Sequence, residues 1–128
     1  MHKTFLRTAA LLGLLAVILG AFGAHSLKKI VSADVVSTFE TGVRYQFYHV
    51  FALLAVAILF ERFPVRTLHY AGVCFITGIV LFSGSLYLLT ALLATEKVGL
   101  GGVGILTPIG GVFFIAGWLL LFWAVGKK

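Results

Sequence analysis

VGLGGVGILTPIGGVFFIAGWLLLFWAVG, residues 98–126, carries no charged side chain and is longer than the ~20 apolar residues a helix needs to cross a bilayer. Working back along the chain, Thr67 to Thr95 and Thr8 to Leu27 are equally free of charge apart from histidines. A fourth stretch, Tyr45 to Phe60, is shorter. It reaches spanning length only if its helix begins upstream near Thr38, which draws Glu40 and Arg44 into the interface. The expected fold is all-α: an integral membrane four-helix bundle of up-down topology in a single domain, with spans over roughly 6–26, 38–61, 67–93 and 106–126.

Composition agrees. The 128 residues are 61% hydrophobic and 11% charged, against about 25% charged in an ordinary soluble domain, so water is not the solvent for most of this surface. A net charge of +6 invites a nucleic-acid reading, but the basic residues sit in the breaks between apolar runs instead of lining one face. No nucleic-acid partner is expected. Cys74, alone inside an apolar run, excludes an intrachain disulfide and a cysteine metal motif. Gly99, Gly101, Gly102 and Gly104 lack the Lys-Ser or Lys-Thr and the preceding strand of a phosphate loop, and read as a flexible hairpin. No cofactor is implied.

Basic residues also orient the chain. Lys3, Arg7, Arg62, Arg66, Lys127 and Lys128 fall on one side, and Lys28, Lys29, Arg44 and Lys97 on the other, so both termini are expected in the cytoplasm and the protein in the plasma (inner) membrane. Lys3 and Arg7 before the run ending Ala21-Phe22-Gly23-Ala24 have the form of a secretory signal. Retention as the first span is expected, since cleavage would leave an odd number of spans. Phe63-Pro64 breaks the chain between helices two and three. Thr107-Pro108 has the pattern of an N-cap followed by proline at the first helical position. Leu27, Ile30, Val31 and Val35, with Lys28, Lys29 and Asp34 between them, predict a short interfacial helix. Small residues fall in stripes: Ala9, Gly13, Ala16 and Gly20; Ala71, Gly78 and Ser85; Gly110, Gly117 and Ala124. The seven-residue step keeps one face toward its neighbours, and small residues let helices approach closely in lipid.

Polar groups inside a membrane are costly and therefore functional candidates. They gather at one level in the outer half: His25 at the end of helix one; Glu40, Arg44, Tyr45, Gln46, Tyr48 and His49 in helix two; Ser83, Ser85 and Tyr87 in helix three; Thr107 in helix four. Glu40/Arg44, Arg44/Tyr48 and Tyr45/His49 are each i,i+4, which lets a Glu40–Arg44 pair neutralise itself and makes His49 a candidate proton site. The plainer alternative is a capping box from Ser37 to Glu40, an outward-reaching Arg44, an aromatic belt of Tyr45 and Tyr48, and a packed His49. Ser83 or Ser85 with His25 or His49 could form a nucleophile and base, and His25, His49 and Glu40 a metal site, but neither follows a recognised pattern, and neither an enzyme nor a metal is expected.

These segments carry a resemblance. Gly20-Ala21-Phe22-Gly23-Ala24-His25, Phe39 through His49, Phe82-Ser83-Gly84-Ser85-Leu86-Tyr87, Thr107-Pro108-Ile109-Gly110-Gly111 and Gly117-Trp118, in this order over nearly the whole chain, resemble the small multi-pass family called domain of unknown function 423. The resemblance implies membrane location and a four-helix fold, and no activity comes with it. The function expected from the residues is non-catalytic binding of a lipid headgroup or small amphiphile in an outer-half polar pocket, with Arg44 meeting an anion. Membrane lipids and a second copy of the chain are the expected partners. The alternative is a small proton-linked transporter or channel, using His49 and Glu40 and acting as an oligomer.

Overall fold

The computed structural model describes residues 1–95 and 102–126. Within them lie four helices long and apolar enough to cross a membrane. The first, α1 (Lys3–Ala24), is capped by His2, whose Nδ1 accepts the Phe5 N–H at 3.2 Å and satisfies one of the free donors of the first turn. A single 3₁₀ turn, Leu27–Lys29, buries Leu27 and exposes both lysines. The expected interfacial helix shrinks to this turn because α2 (Ala33–Leu59) already begins at Ala33. Ser37 and Glu40 therefore lie inside α2 and form no capping box; Ser37 instead gives its carbonyl to the Thr41 hydroxyl at 3.0 Å.

The third span, Arg66–Ala94, is built in three pieces: α3 (Arg66–Gly78), one π-helical turn (Ile79–Ser83) and α4 (Gly84–Ala94). The last helix, α5 (Val103–Gly126), starts before Thr107-Pro108, so Pro108 is inside the helix and Thr107 is not its cap. Proline at that position removes the N–H that would bond to the Gly104 carbonyl, but Gly104 is exposed near the helix start, where water can take that carbonyl. Gly99, Gly101, Glu96, Lys97 and the two terminal lysines, on which the hairpin and charge readings partly rest, lie outside the described residues.

The core is organised around α2. It buries Leu53, Val56 and Ala57 completely, while α1 packs along it on one side and the third span packs on another. On the far side of the third span, α5 packs along α3 and the π turn. The small-residue stripes face these contacts. Ala9 and Ala16 are fully buried, and a Cβ at Gly20 would touch Val43 of α2 at 3.5 Å. Between α3 and α5 the fit is reciprocal: Phe114 occupies the space over Gly78, and Phe75 lies where a Cβ on Gly117 would come within 2.6 Å of it. Gly110 is tighter still, because its missing side chain leaves room for the backbone of Phe82, 2.8 Å from a Cβ built there. Large side chains seated over glycines, with a direct backbone approach at Gly110, are the membrane mode of packing through small residues.

Candidate functional site

The polar residues at the level of the α1–α2 end of the bundle divide into an interior set and a surface set. In the interior, Gln46 is only 3% exposed and ties three helices together. Its Nε2 donates to the Leu12 carbonyl of α1 at 2.7 Å, and its Oε1 accepts from the Tyr87 hydroxyl of α4 at 2.6 Å. Ser83, fully buried in the π turn, donates to the Gly42 carbonyl of α2 at 2.7 Å. The extra residue in that turn swings Ser83 toward α2, a typical use of a π turn at a special site. Ser85 donates to the Phe82 carbonyl at 2.8 Å and shares a hydrogen bond with the Thr107 hydroxyl of α5.

His49 is equally committed. Its ring stacks on Phe114 at 3.5 Å between centroids, Nδ1 bonds to the Tyr45 carbonyl at 2.7 Å, and Nε2 accepts the Trp118 indole N–H at 3.1 Å. The Trp118 N–H can only donate, so Nε2 must be the bare nitrogen and Nδ1 the protonated one. This neutral tautomer uses both nitrogens. Among the described residues no buried side-chain nitrogen or oxygen lacks a partner.

His25, Glu40, Arg44, Tyr45 and Tyr48 form the surface set, all exposed. Tyr45 and Tyr48 meet edge to face with centroids 5.7 Å apart. The expected Glu40–Arg44 pair is not formed: neither residue has a hydrogen-bond or ion-pair partner among the described residues, despite their i,i+4 spacing. Helix geometry separates the rest. At about 100° per residue, Glu40 and His49, nine apart, are on opposite faces of α2, and Arg44 is about 140° from His49. Arg44, His49 and Ser85 therefore present no common polar surface. Neither Ser83 nor Ser85 bonds to a histidine, and no group of three His, Cys, Asp or Glu among the described residues could hold a metal.

A concave site exists where α1 leaves the third span. Near the N-terminus Phe5 of α1 fills the space over Gly72 of α3, but toward the other end of α1 the helices part. The gap holds an open groove of about 280 Å³ walled by Leu12, Leu19, Ile79 and Gly84, with the exposed Leu15 and Val80 at its rim and Gln46 and Tyr87 on its floor. A second concavity of about 250 Å³, which shares Leu19 and Tyr87 with the first, is lined further by Phe22, Leu27, Ile30, Phe39, Thr90, Ala91 and Ala94. Of the residues expected at a site from the sequence, Gln46 and Tyr87 alone line this strip. Leu19, Phe39 and Thr90 were not anticipated, since apolar wall residues are indistinguishable from core in sequence. Thr90 adds no free donor, because its hydroxyl returns to the Leu86 carbonyl at 2.8 Å. Trp118, the partner of His49, was visible only as part of the Gly117-Trp118 motif.

The model of a family described as "Protein of unknown function (DUF423)" matches residues 19–111. The chain belongs to the DUF423 family. A UPF0382 membrane protein of Staphylococcus saprophyticus is 42% identical over 119 residues, 93% of this chain and 93% of that protein. The UPF0382 membrane protein YwdK of Bacillus subtilis is 40% identical over 126 residues, 98% of each chain. The UPF0382 inner membrane protein YgdD of Escherichia coli is 41% identical over 113 residues, 88% of this chain and 82% of YgdD. No solved structure matches. This DUF423 member is thus a multi-pass membrane protein like its relatives, and neither the family description nor their names carries an activity.

Proposed function

We propose that this DUF423 protein is a non-catalytic lipid-binding protein whose α1–α4 groove holds one apolar chain of an amphiphile, drawn sideways from the leaflet at the α1–α2 end. The observation that carries the proposal is the groove's extent and chemistry. The two adjoining concavities together follow α1 from Leu12 to Leu27 for roughly 22 Å, enough to cover one leaflet of a hydrocarbon core about 30 Å thick. Its walls are Leu, Ile, Val, Phe and Ala, and the polar groups that reach it, Gln46 and Tyr87, already bond to each other. The second Gln46 N–H and the remaining Tyr87 lone pairs give one point of contact to a polar group on the chain. With both termini cytoplasmic, the leaflet served is the outer one.

Headgroup capture in a pocket shared by Arg44 and Ser85 is less supported, because Ser85 is bonded within the bundle and Arg44 faces away from it. Proton-linked transport has less support still. His49 uses both nitrogens, and a proton added to Nε2 would face the Trp118 N–H donor.

Gly84 gives a clean test, since a Cβ there meets nothing within 4 Å. G84L projects its side chain from this open position into the groove. Native mass spectrometry of protein released from nanodiscs should show wild type and R44A retaining a bound lipid and G84L losing it. Equal retention by wild type and G84L contradicts the proposal, and loss confined to R44A transfers the site to the arginine.

A further inference from the structure

The groove leaves one feature unexplained: a charged stripe on the opposite side of the molecule. Ser37, Glu40, Arg44, Tyr48 and Phe51 are all exposed and recur every three or four residues, so they form one face of α2. Other lipid-facing surfaces of this chain differ. On α5 the exposed face is Ile105, Val112, Ile115 and Phe122, and on α1 it is Leu11 and Ile18. Counting inward from Leu59 at 1.5 Å per residue, Glu40 stands about 28 Å and Arg44 about 22 Å into a hydrocarbon core roughly 30 Å thick. Arg44 is therefore below the outer boundary, with neither it nor Glu40 neutralised inside the chain. Glu40 is thus at the boundary itself and Arg44 about one turn below it, where an arginine reaches outward toward an acidic partner or the interface.

We propose that this α2 face is the contact surface for a second copy of the same chain, closed by reciprocal pairs between Glu40 of each copy and Arg44 of the other. A two-fold axis along the membrane normal sets like depths side by side and brings the same patch of both copies together. Glu40 and Arg44 are one turn, about 6 Å, apart in depth. An Arg44 side chain extended toward the outer boundary, the direction it takes to escape hydrocarbon, rises to the level of the facing Glu40. Each copy contributes one anion and one cation, so the patch is self-complementary in charge. A guanidinium meets a carboxylate through two parallel N–H donors, which fixes register as well as partner. This pairing is independent of the groove, which opens on the other side of α1.

Charge exchange tests it. Two-colour labelled chains are reconstituted in bilayers of neutral phosphatidylcholine and counted by single-molecule photobleaching. Wild type should bleach in two steps, and E40R alone and R44E alone in one. An equimolar mixture of E40R and R44E should recover two-step, two-colour spots, because an all-cationic face then meets an all-anionic one, and the double exchange E40R/R44E should again self-associate. Should the charge variants fail to insert, S37C in a C74A background should cross-link between copies under mild oxidation, while I115C on the lipid-facing side of α5 should not. One-step bleaching of wild type, a mixture that stays monomeric, or equal cross-linking at both cysteines overturns the proposal. Wild type that is monomeric yet loses bound anionic lipid in R44E, with phosphatidylglycerol as the probe, assigns Arg44 to lipid instead.

Discussion

Substituting Gly110 by alanine should cost the bundle more than any other single methyl group. The Cβ would sit 2.8 Å from the Phe82 Cα and closer still to its nitrogen, whereas carbon atoms rest about 3.5–4.0 Å apart. Because the obstacle is backbone, no rotamer change relieves it, and α5 must retreat from the π turn by about 1 Å. Overpacking of this kind costs roughly 1–3 kcal/mol, and a backbone obstacle belongs at the upper end. The shift also stretches the Ser85–Thr107 hydrogen bond, worth about 1 kcal/mol. Against these, alanine in a helix gains about 0.5–1 kcal/mol over glycine. The net is a destabilisation of about 3 kcal/mol. G84A, where the Cβ meets open space and the backbone is already helical at φ −59°, keeps only the gain and should be more stable than wild type by about 0.5–1 kcal/mol. Steric-trapping equilibria in bicelles measure both. If the two variants move stability in the same direction, the α5–π-turn contact is not as close as described.

Further outcomes follow from the interior hydrogen bonds. Q46L leaves the buried Tyr87 hydroxyl without its acceptor and removes the side-chain bond to the Leu12 carbonyl, and should lower stability by about 1–3 kcal/mol, more than Y87F, in the same unfolding assay. The His49 ring should give ¹⁵N shifts of a neutral imidazole protonated on Nδ1, and W118F should perturb the Nε2 resonance far more than the Nδ1 resonance. For topology, S32C should react with an impermeant maleimide added outside and K128C should not, in a C74A background; labelling of K128C from outside would reverse the orientation.

Depth was legible in the sequence and direction was not. Counting residues from the charged turns placed Gln46, His49, Ser85, Tyr87 and Thr107 at one level, and the bundle joins most of them by hydrogen bonds. The same count ranks residues by depth alone and sets Glu40 and Arg44 beside His49, whereas the rotation of about 100° per residue places them on other faces of α2. The stripes fared better. A step of seven residues is a statement about direction, and Gly78, Gly117 and Ala124 are buried as that step requires. Pro108 misled because a proline at the first helical position and one in the second turn look alike when glycines precede both. The π turn leaves no trace in composition, yet it aims Ser83 at Gly42. The α1–α4 groove was hidden because apolar residues lining a gap and those filling a core have the same pattern.

In the function proposed, the groove, and not the general lipid-facing surface, takes an apolar chain. A phospholipid with a diazirine midway along one acyl chain, photolysed with the protein in nanodiscs, reports this directly when adducts are located by peptide mass spectrometry. Adducts should concentrate on Leu12, Leu19, Gln46 and Tyr87 and fall at least several-fold in G84L, while those on the exposed Ile115 and Phe122 of α5 stay unchanged. Adducts spread evenly over α1 and α5 in wild type, with no response to G84L, would contradict the account.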